Sequence, residues 1–142
     1  MANDDPVVAA LLERCRQDHH AWINGDGSGY RLPEDGTILG GVGGYGFGGA
    51  ETTARQAAVA RQWQSGSGDV ELLNAAVSGD IAWLAMIERA QVTFDPEVGP
   101  QRWDLRVTEV FRRVDGHWER VHRHADPLVD RRAVEDVTPL LA

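Results

Sequence analysis

The sequence predicts an α+β fold, with helices in the first half and a four-stranded antiparallel meander in the second. Three observations predict it. Apolar residues near the N-terminus recur three and four positions apart, the signature of an amphipathic helix. After residue 68 the pattern changes to alternation, the signature of half-buried strands. Asp115-Gly116 then separates two alternating segments, and that dipeptide suits the positive φ angles of a two-residue hairpin turn.

The first helix starts at Asp5-Pro6, because Asp can accept the free amides of a first turn and Pro tolerates the first helical position. Val8, Leu11, Leu12, Cys15, His19 and Trp22 form its buried stripe, which "NGDGSG" ends. His19 is thus expected on the packed side, as a hydrogen-bonded core histidine or as a group lining a cavity. "TILGGVGGYGFGGAETTARQAAVARQWQ" reads as a short strand, a glycine-rich connection and an Ala-rich helix from about 50 to 64. Gly41, Gly43 and Gly46 have the spacing of a dinucleotide-binding loop. Three further residues intervene before the helix and a single strand-helix-strand unit is present, so a flexible hairpin or loop is the better reading. The meander follows as "DVELLNAAV", "IAWLAMIERAQVTF", "RWDLRVTEVFRRV" and "HWERVHRHA", joined by "SGD", "DPEVGPQ" and "DG". The tail "PLVDRRAVEDVTPLLA" is expected to pack along the domain or against a second subunit.

A chain of 142 residues suits a single domain spanning 1–142 around one core. Its formal net charge is -8, and all 14 of its Lys+Arg positions are Arg. An acidic chain lacks the concentrated basic face that binds a phosphate backbone, so no nucleic-acid partner is expected. Cys15, the one cysteine, excludes an intramolecular disulfide and a cysteine-based metal site. The start "MANDDPVVAALLERC" is acidic where a signal peptide is basic, and no apolar run approaches the ~20 residues of a membrane span. The expectation is a cytoplasmic protein without a membrane partner.

The terminal hairpin carries the ionisable residues of interest. With Val114 opposite His117 across the turn and an unbroken register, Phe111 faces Arg120, Glu109 faces His122, Val107 faces His124 and Leu105 faces Asp126. One face then holds Leu105, Val107, Phe111 and Trp118 with Glu109, His122, His124 and Asp126, while Arg106, Arg112, Glu119 and Arg123 occupy the other. The first face has more to bury, so its titratable groups are expected to line a pocket; a β-bulge in the last strand would reverse part of this assignment. The alternative is a cross-strand pair at a wet rim or subunit interface. His-x-His beside carboxylates could ligate a metal, but no further His or Cys cluster supports one and no metal is expected. Glu88 and Arg106 could meet across adjacent strands as a structural pair.

"WINGD" at 22–26, "SGDIAWLAMIER" at 78–89, "LRVTEVFRR" at 105–113 and "DGHWERVHRHADPL" at 115–128, set in this order of elements, resemble the SnoaL-like branch of the NTF2-like superfamily. The resemblance covers nearly the whole chain and speaks to fold more than to reaction. It implies a strongly bent antiparallel sheet wrapped around N-terminal helices to form a conical cavity, commonly in a homodimer. It further implies cofactor-independent acid-base chemistry of isomerase, cyclase or dehydratase type on a small hydrophobic ring or carbonyl compound. Asp126 matches the late aspartate that moves a proton in the polyketide cyclases. The tyrosine that polarises the carbonyl in ketosteroid isomerases has no match on the first helix, which offers His19 and His20.

Two functions follow. In the first, Asp126 or Glu109 is the base, His124 or His122 donates to a developing oxyanion, and His19, Trp22, Trp83, Trp103 and Phe111 hold the substrate, with no cofactor. In the second, the chain is a non-catalytic ligand-binding or dimerising module, whose polar pocket residues serve recognition.

Overall fold

A computed structural model describes residues 4–141; Met1–Asn3 and Ala142, the two ends of the expected 1–142 domain, lie outside the described residues. Helix α1 spans Pro6–Ile23, capped by the Asp5 carboxylate, which accepts from the Val7 amide at 2.7 Å. Pro6 loses nothing by lacking an amide proton there. Val8, Leu11, Cys15, His19 and Ile23 are its buried stripe. A 3-10 turn over Ser28–Tyr30 leads to a hairpin of β1 (Thr37–Leu39) and β2 (Tyr45–Phe47), whose connection is the glycine-rich stretch. Gly43 and Gly44 have φ of 98° and 71°, where a β-carbon would be strained. Helix α2 covers Ala50–Ala60, shorter than the 50–64 expected, because Gln64 already donates to the Thr93 carbonyl as the chain turns into the sheet.

The meander consists of β3 (Ser65–Ser78), β4 (Ile81–Thr93), β6 (Leu105–Val114) and β7 (His117–Pro127), with the two-residue β5 (Gln101–Arg102) at the edge of β4. The strand order is β2-β1-β7-β6-β4-β3. The meander pairs are antiparallel, and β1 joins β7 in parallel, an addition that the sequence pattern did not reveal. Asp115 and Gly116 both have positive φ, as the tight turn requires.

Two extra residues shape the sheet. Leu73 has no partner on β4, and Val121 has none on β6. Each is a bulge, which bends its strand and exchanges the faces of the residues beyond it. Helix α1 packs on the inner face of β3 and β4, where Val8, Leu11 and Cys15 join Val70, Leu84, Met86, Val107 and Phe111 in the main core. A second cluster joins Ile23, Ala60, Trp63, Ala90 and Val92, flanked by Trp22 and Trp103. Residues 127–141 are exposed throughout, Val134, Leu140 and Leu141 included, so the tail does not pack along the domain as one of its two expected placements required.

Candidate functional site: a glycine-rimmed cavity over a buried ion cluster

The first consequence of the Val121 bulge is a correction. Phe111 faces Arg120 as expected, but beyond the bulge Val110 lies opposite His122, Glu109 opposite Arg123, Thr108 opposite His124 and Arg106 opposite Asp126. Arg123 and Ala125 therefore point inward, and His122, His124 and Asp126 point out. Asp126 bonds Arg106 Nε at 2.6 Å, and His124 Nε2 lies 3.6 Å from its other oxygen; the two side chains are 35% and 47% exposed. They line a shallow groove on the outer face of the sheet with Arg106 and Thr108. His122 Nδ1 meets Thr37 Oγ1 at 2.7 Å. Trp83 stands on that outer face, 37% exposed, and Phe111 is core, with the Arg120 guanidinium 5.1 Å from its ring centre. The expected pair of Glu88 and Arg106 does not form either, since Glu88 lies opposite Leu105 and faces inward.

Inside the cone is an ionic cluster. Arg123 clasps Glu88 with both nitrogens of its fork, Nη1 to Oε2 at 2.8 Å and Nη2 to Oε1 at 2.9 Å, and Nη1 also reaches Glu109 Oε2 at 3.3 Å. Arg120 Nε lies 2.6 Å from Glu109 Oε2 as an ion pair, and its Nη2 donates to Asp18 Oδ2 at 2.9 Å and to Glu109 Oε1 at 3.2 Å. Its Nη1 donates to the Gly29 carbonyl at 2.9 Å. The Cys15 thiol donates to Glu109 Oε1 at 3.2 Å. Both guanidiniums approach Tyr30, Arg120 at 4.9 Å and Arg123 at 4.7 Å from its ring centre. Burial without partners would neutralise such groups; here hydrogen bonds and opposite charges keep them ionised. Burial alone would push the Glu109 carboxyl up, but Arg120 and Arg123 outweigh it and hold the group below its ordinary value. For Asp18 the desolvation wins and its carboxyl is raised. Burial pushes the Cys15 thiol and the Tyr30 phenol up, each helped by the Glu109 charge.

His19 is buried beside this cluster. Its Nε2 contacts the Arg89 carbonyl at 3.2 Å, so that nitrogen carries the proton, and Nδ1 lies 3.6 Å from Glu88 Oε1.

Above Arg123 opens a cavity of about 190 Å³. Trp22, Ile38, Val59, Trp103, Leu105 and Ala125 supply apolar wall, Tyr30, Thr52, Arg55, Gln56 and Arg123 supply polar atoms, and Gly40–Gly44 form the rim. The Thr52 hydroxyl is spent on the Phe47 carbonyl. The Tyr30 hydroxyl makes no hydrogen bond among the described residues. Val42 and Tyr45, 79% and 76% exposed, stand at the mouth. A β-carbon on Gly41 would lie 3.3 Å from a Leu105 methyl, so glycine keeps the rim open. Of the residues expected at a site, Trp22 and Trp103 border this cavity, while Glu109 and His19 sit in the packed layer beneath. Sequence reasoning missed Arg120, Arg123 and Tyr30. Their signal was the three-residue spacing of the arginines, which brings both inward only if one residue between them is bulged.

The sequence profile of the SnoaL-like domain matches residues 32–130. No curated protein sequence matches the chain significantly. Among solved structures, the chain is similar to a dehydratase candidate of the NTF2-like family from Streptomyces avermitilis, with 17% identity and a TM-score of 0.71 over 91% of this chain and 99% of that one. An uncharacterised protein with a cystatin-like fold from Caulobacter vibrioides has 16% identity and a TM-score of 0.63, over 99% of this chain and 95% of that one. The association domain of CaMKII from C. elegans has 16% identity and a TM-score of 0.59, over 88% and 99%. At these identities the likeness is one of fold.

Proposed function

The chain belongs to the SnoaL-like domain family, and from that premise we propose that it binds a small hydrophobic molecule in the glycine-rimmed cavity, as a ligand-binding module. One observation carries the reading: the cavity wall is aromatic and aliphatic, and no Asp, Glu or His is among its described lining residues. Proton abstraction of isomerase, cyclase or dehydratase type is most often the work of a carboxylate or imidazole within reach of the bound molecule, and burial holds the Tyr30 phenol in its protonated form. Asp126, His124 and His122 are on the far side of the sheet, and Glu109 is sealed beneath Arg123. Apolar walls with a few polar groups are instead what a binding pocket requires. The test is calorimetric titration with toluene, phenol, benzoate and 2-naphthol. Saturable binding of at least one, abolished by filling the cavity in Gly41→Leu with the far-UV dichroism retained, supports the reading. Wild-type protein that binds none of the four would sink it.

The homodimer implied by the family is assigned here to the outer face of the sheet, where Leu73, Ile81 and Trp83 are exposed together. The exposed C-terminal tail then packs against the second subunit. Sedimentation equilibrium should return twice the 15.6 kDa chain mass, falling to one chain mass in Trp83→Glu. A wild-type monomer at ~50 μM, the weak end for a specific interface of this kind, would count against it. No described helix is long and apolar enough to cross a membrane.

A further inference from the structure

We infer that the ligand's buried part is one uncharged ring carrying a hydrogen-bond acceptor for the Tyr30 hydroxyl, of the phenol or cyclohexanone class. The inference rests on the cavity being a binding site, as proposed above, and adds size, charge and polarity to it.

Size follows from volume. A dry cavity of ~150 Å³ accepts benzene, and this one measures about 190 Å³. The difference admits a substituent of one or two heavy atoms and leaves no place for a second fused ring. The walls cannot retreat easily, because Trp103 packs at 5.3 Å from Trp63, which in turn packs at 5.3 Å from Trp22.

Charge follows from the bookkeeping beneath the cavity. Three carboxylates, Asp18, Glu88 and Glu109, meet three guanidiniums, Arg14, Arg120 and Arg123, with Arg14 Nε 3.7 Å from Asp18. Their sum is zero. Arg123, the one charged side chain of this cluster that borders the cavity, already gives both terminal nitrogens to Glu88. At the mouth Arg55 lies 3.4 Å from Glu51. A carboxylate in the buried part of this space would lose its hydration without meeting an unclaimed cation, since Arg55, the other lining guanidinium, is 55% exposed at the mouth, and an ammonium would meet Arg123.

Polarity follows from Tyr30. Two guanidiniums lie 4.9 and 4.7 Å from its ring centre and withdraw electron density from it. Tyr30 borders the cavity, and its hydroxyl is a donor without a protein acceptor among the described residues. A ligand oxygen placed there satisfies it.

The same titration, completed with Tyr30→Phe, tests this. Phenol should bind at least ten-fold more tightly than benzoate or 2-naphthol. Tyr30→Phe should weaken phenol by roughly three- to ten-fold, the worth of one neutral hydrogen bond, and leave toluene unchanged. This variant deletes a single hydroxyl that bonds no described residue, so its fold is kept. Benzoate or 2-naphthol binding more tightly than phenol overturns the inference and leaves the binding function standing. Equal loss of toluene and phenol in Tyr30→Phe overturns the assigned role of the hydroxyl. Wild-type protein that binds none of the probes removes the binding function itself.

Discussion

Arg123 and Glu88 form a two-pronged ion pair, 2.8 and 2.9 Å long, at the boundary between the packed interior and the cavity. Glu88→Gln leaves a guanidinium buried with only Glu109 to share, so chemical denaturation should show a loss of about 3 kcal/mol or more. The double variant Glu88→Leu/Arg123→Leu should recover most of that loss, because two apolar side chains need no desolvation. A double variant as unstable as the single one would mean that the pair stabilises the fold beyond compensating its own burial.

Acid should weaken the protein below the ordinary carboxylate range. Glu109 has a folded value held beneath its ordinary 4.5, so its stabilising contribution is complete above 4.5 and is lost as pH falls through the lower folded value. Asp18, whose carboxyl is raised, acts in the opposite sense and favours the folded state as it takes up its proton. Glu109→Gln should be less stable at pH 7 and should show a shallower fall in stability below pH 4.5, by up to about 1.4 kcal/mol per pH unit. Parallel pH profiles for the two proteins would contradict this.

The Cys15 thiol should be inert in the native state. It is buried, raised by desolvation and hydrogen-bonded to Glu109, so little thiolate exists to react. Its labelling by a thiol-specific disulfide reagent should follow the unfolding transition in urea. Rapid modification at neutral pH without denaturant would contradict its placement in the core.

Asp126→Asn should change the melting temperature little, since an exposed ion pair with Arg106 contributes about 0–1 kcal/mol. Phenol affinity should not change either, because the residue faces away from the cavity. A large loss of affinity in this variant would restore the inward-facing arrangement expected from the sequence.

The contrast between α1 and β7 explains what could be read in the sequence. Helix α1 is specified locally, by Asp5 at its cap, Pro6 at its first position and a stripe at regular spacing, and His19 was placed on its buried side for that reason. The β6–β7 hairpin was equally legible at its tip, where Asp115-Gly116 sets the pairs up to Phe111 with Arg120. Beyond that point legibility fails at one residue. Val121 sits in an apolar-polar alternation that reads plausibly in either phase, and a bulge leaves no mark in composition. The unbroken register turned histidines inward because that face held more apolar residues to bury than the opposite one. What decided otherwise was the long-range pairing of Arg120 and Arg123 with Asp18, Glu88 and Glu109, contributed by α1, β4 and β6. The cavity rim was likewise hidden, since the parallel docking of β1 on β7 depends on contacts remote in the chain.

The unpaired valine also defines how near this scaffold stands to a different chemistry. Were Val121 to pair with Val110 in an unbroken ladder, the end of β7 would turn over, sending two imidazoles and Asp126 into the hollow and expelling Arg123 to solvent. A one-residue slip in pairing therefore separates an interior of fixed ion pairs from one of exchangeable protons. Crossing that gap would also require a neutral residue in place of Glu88, which would otherwise be left buried without Arg123.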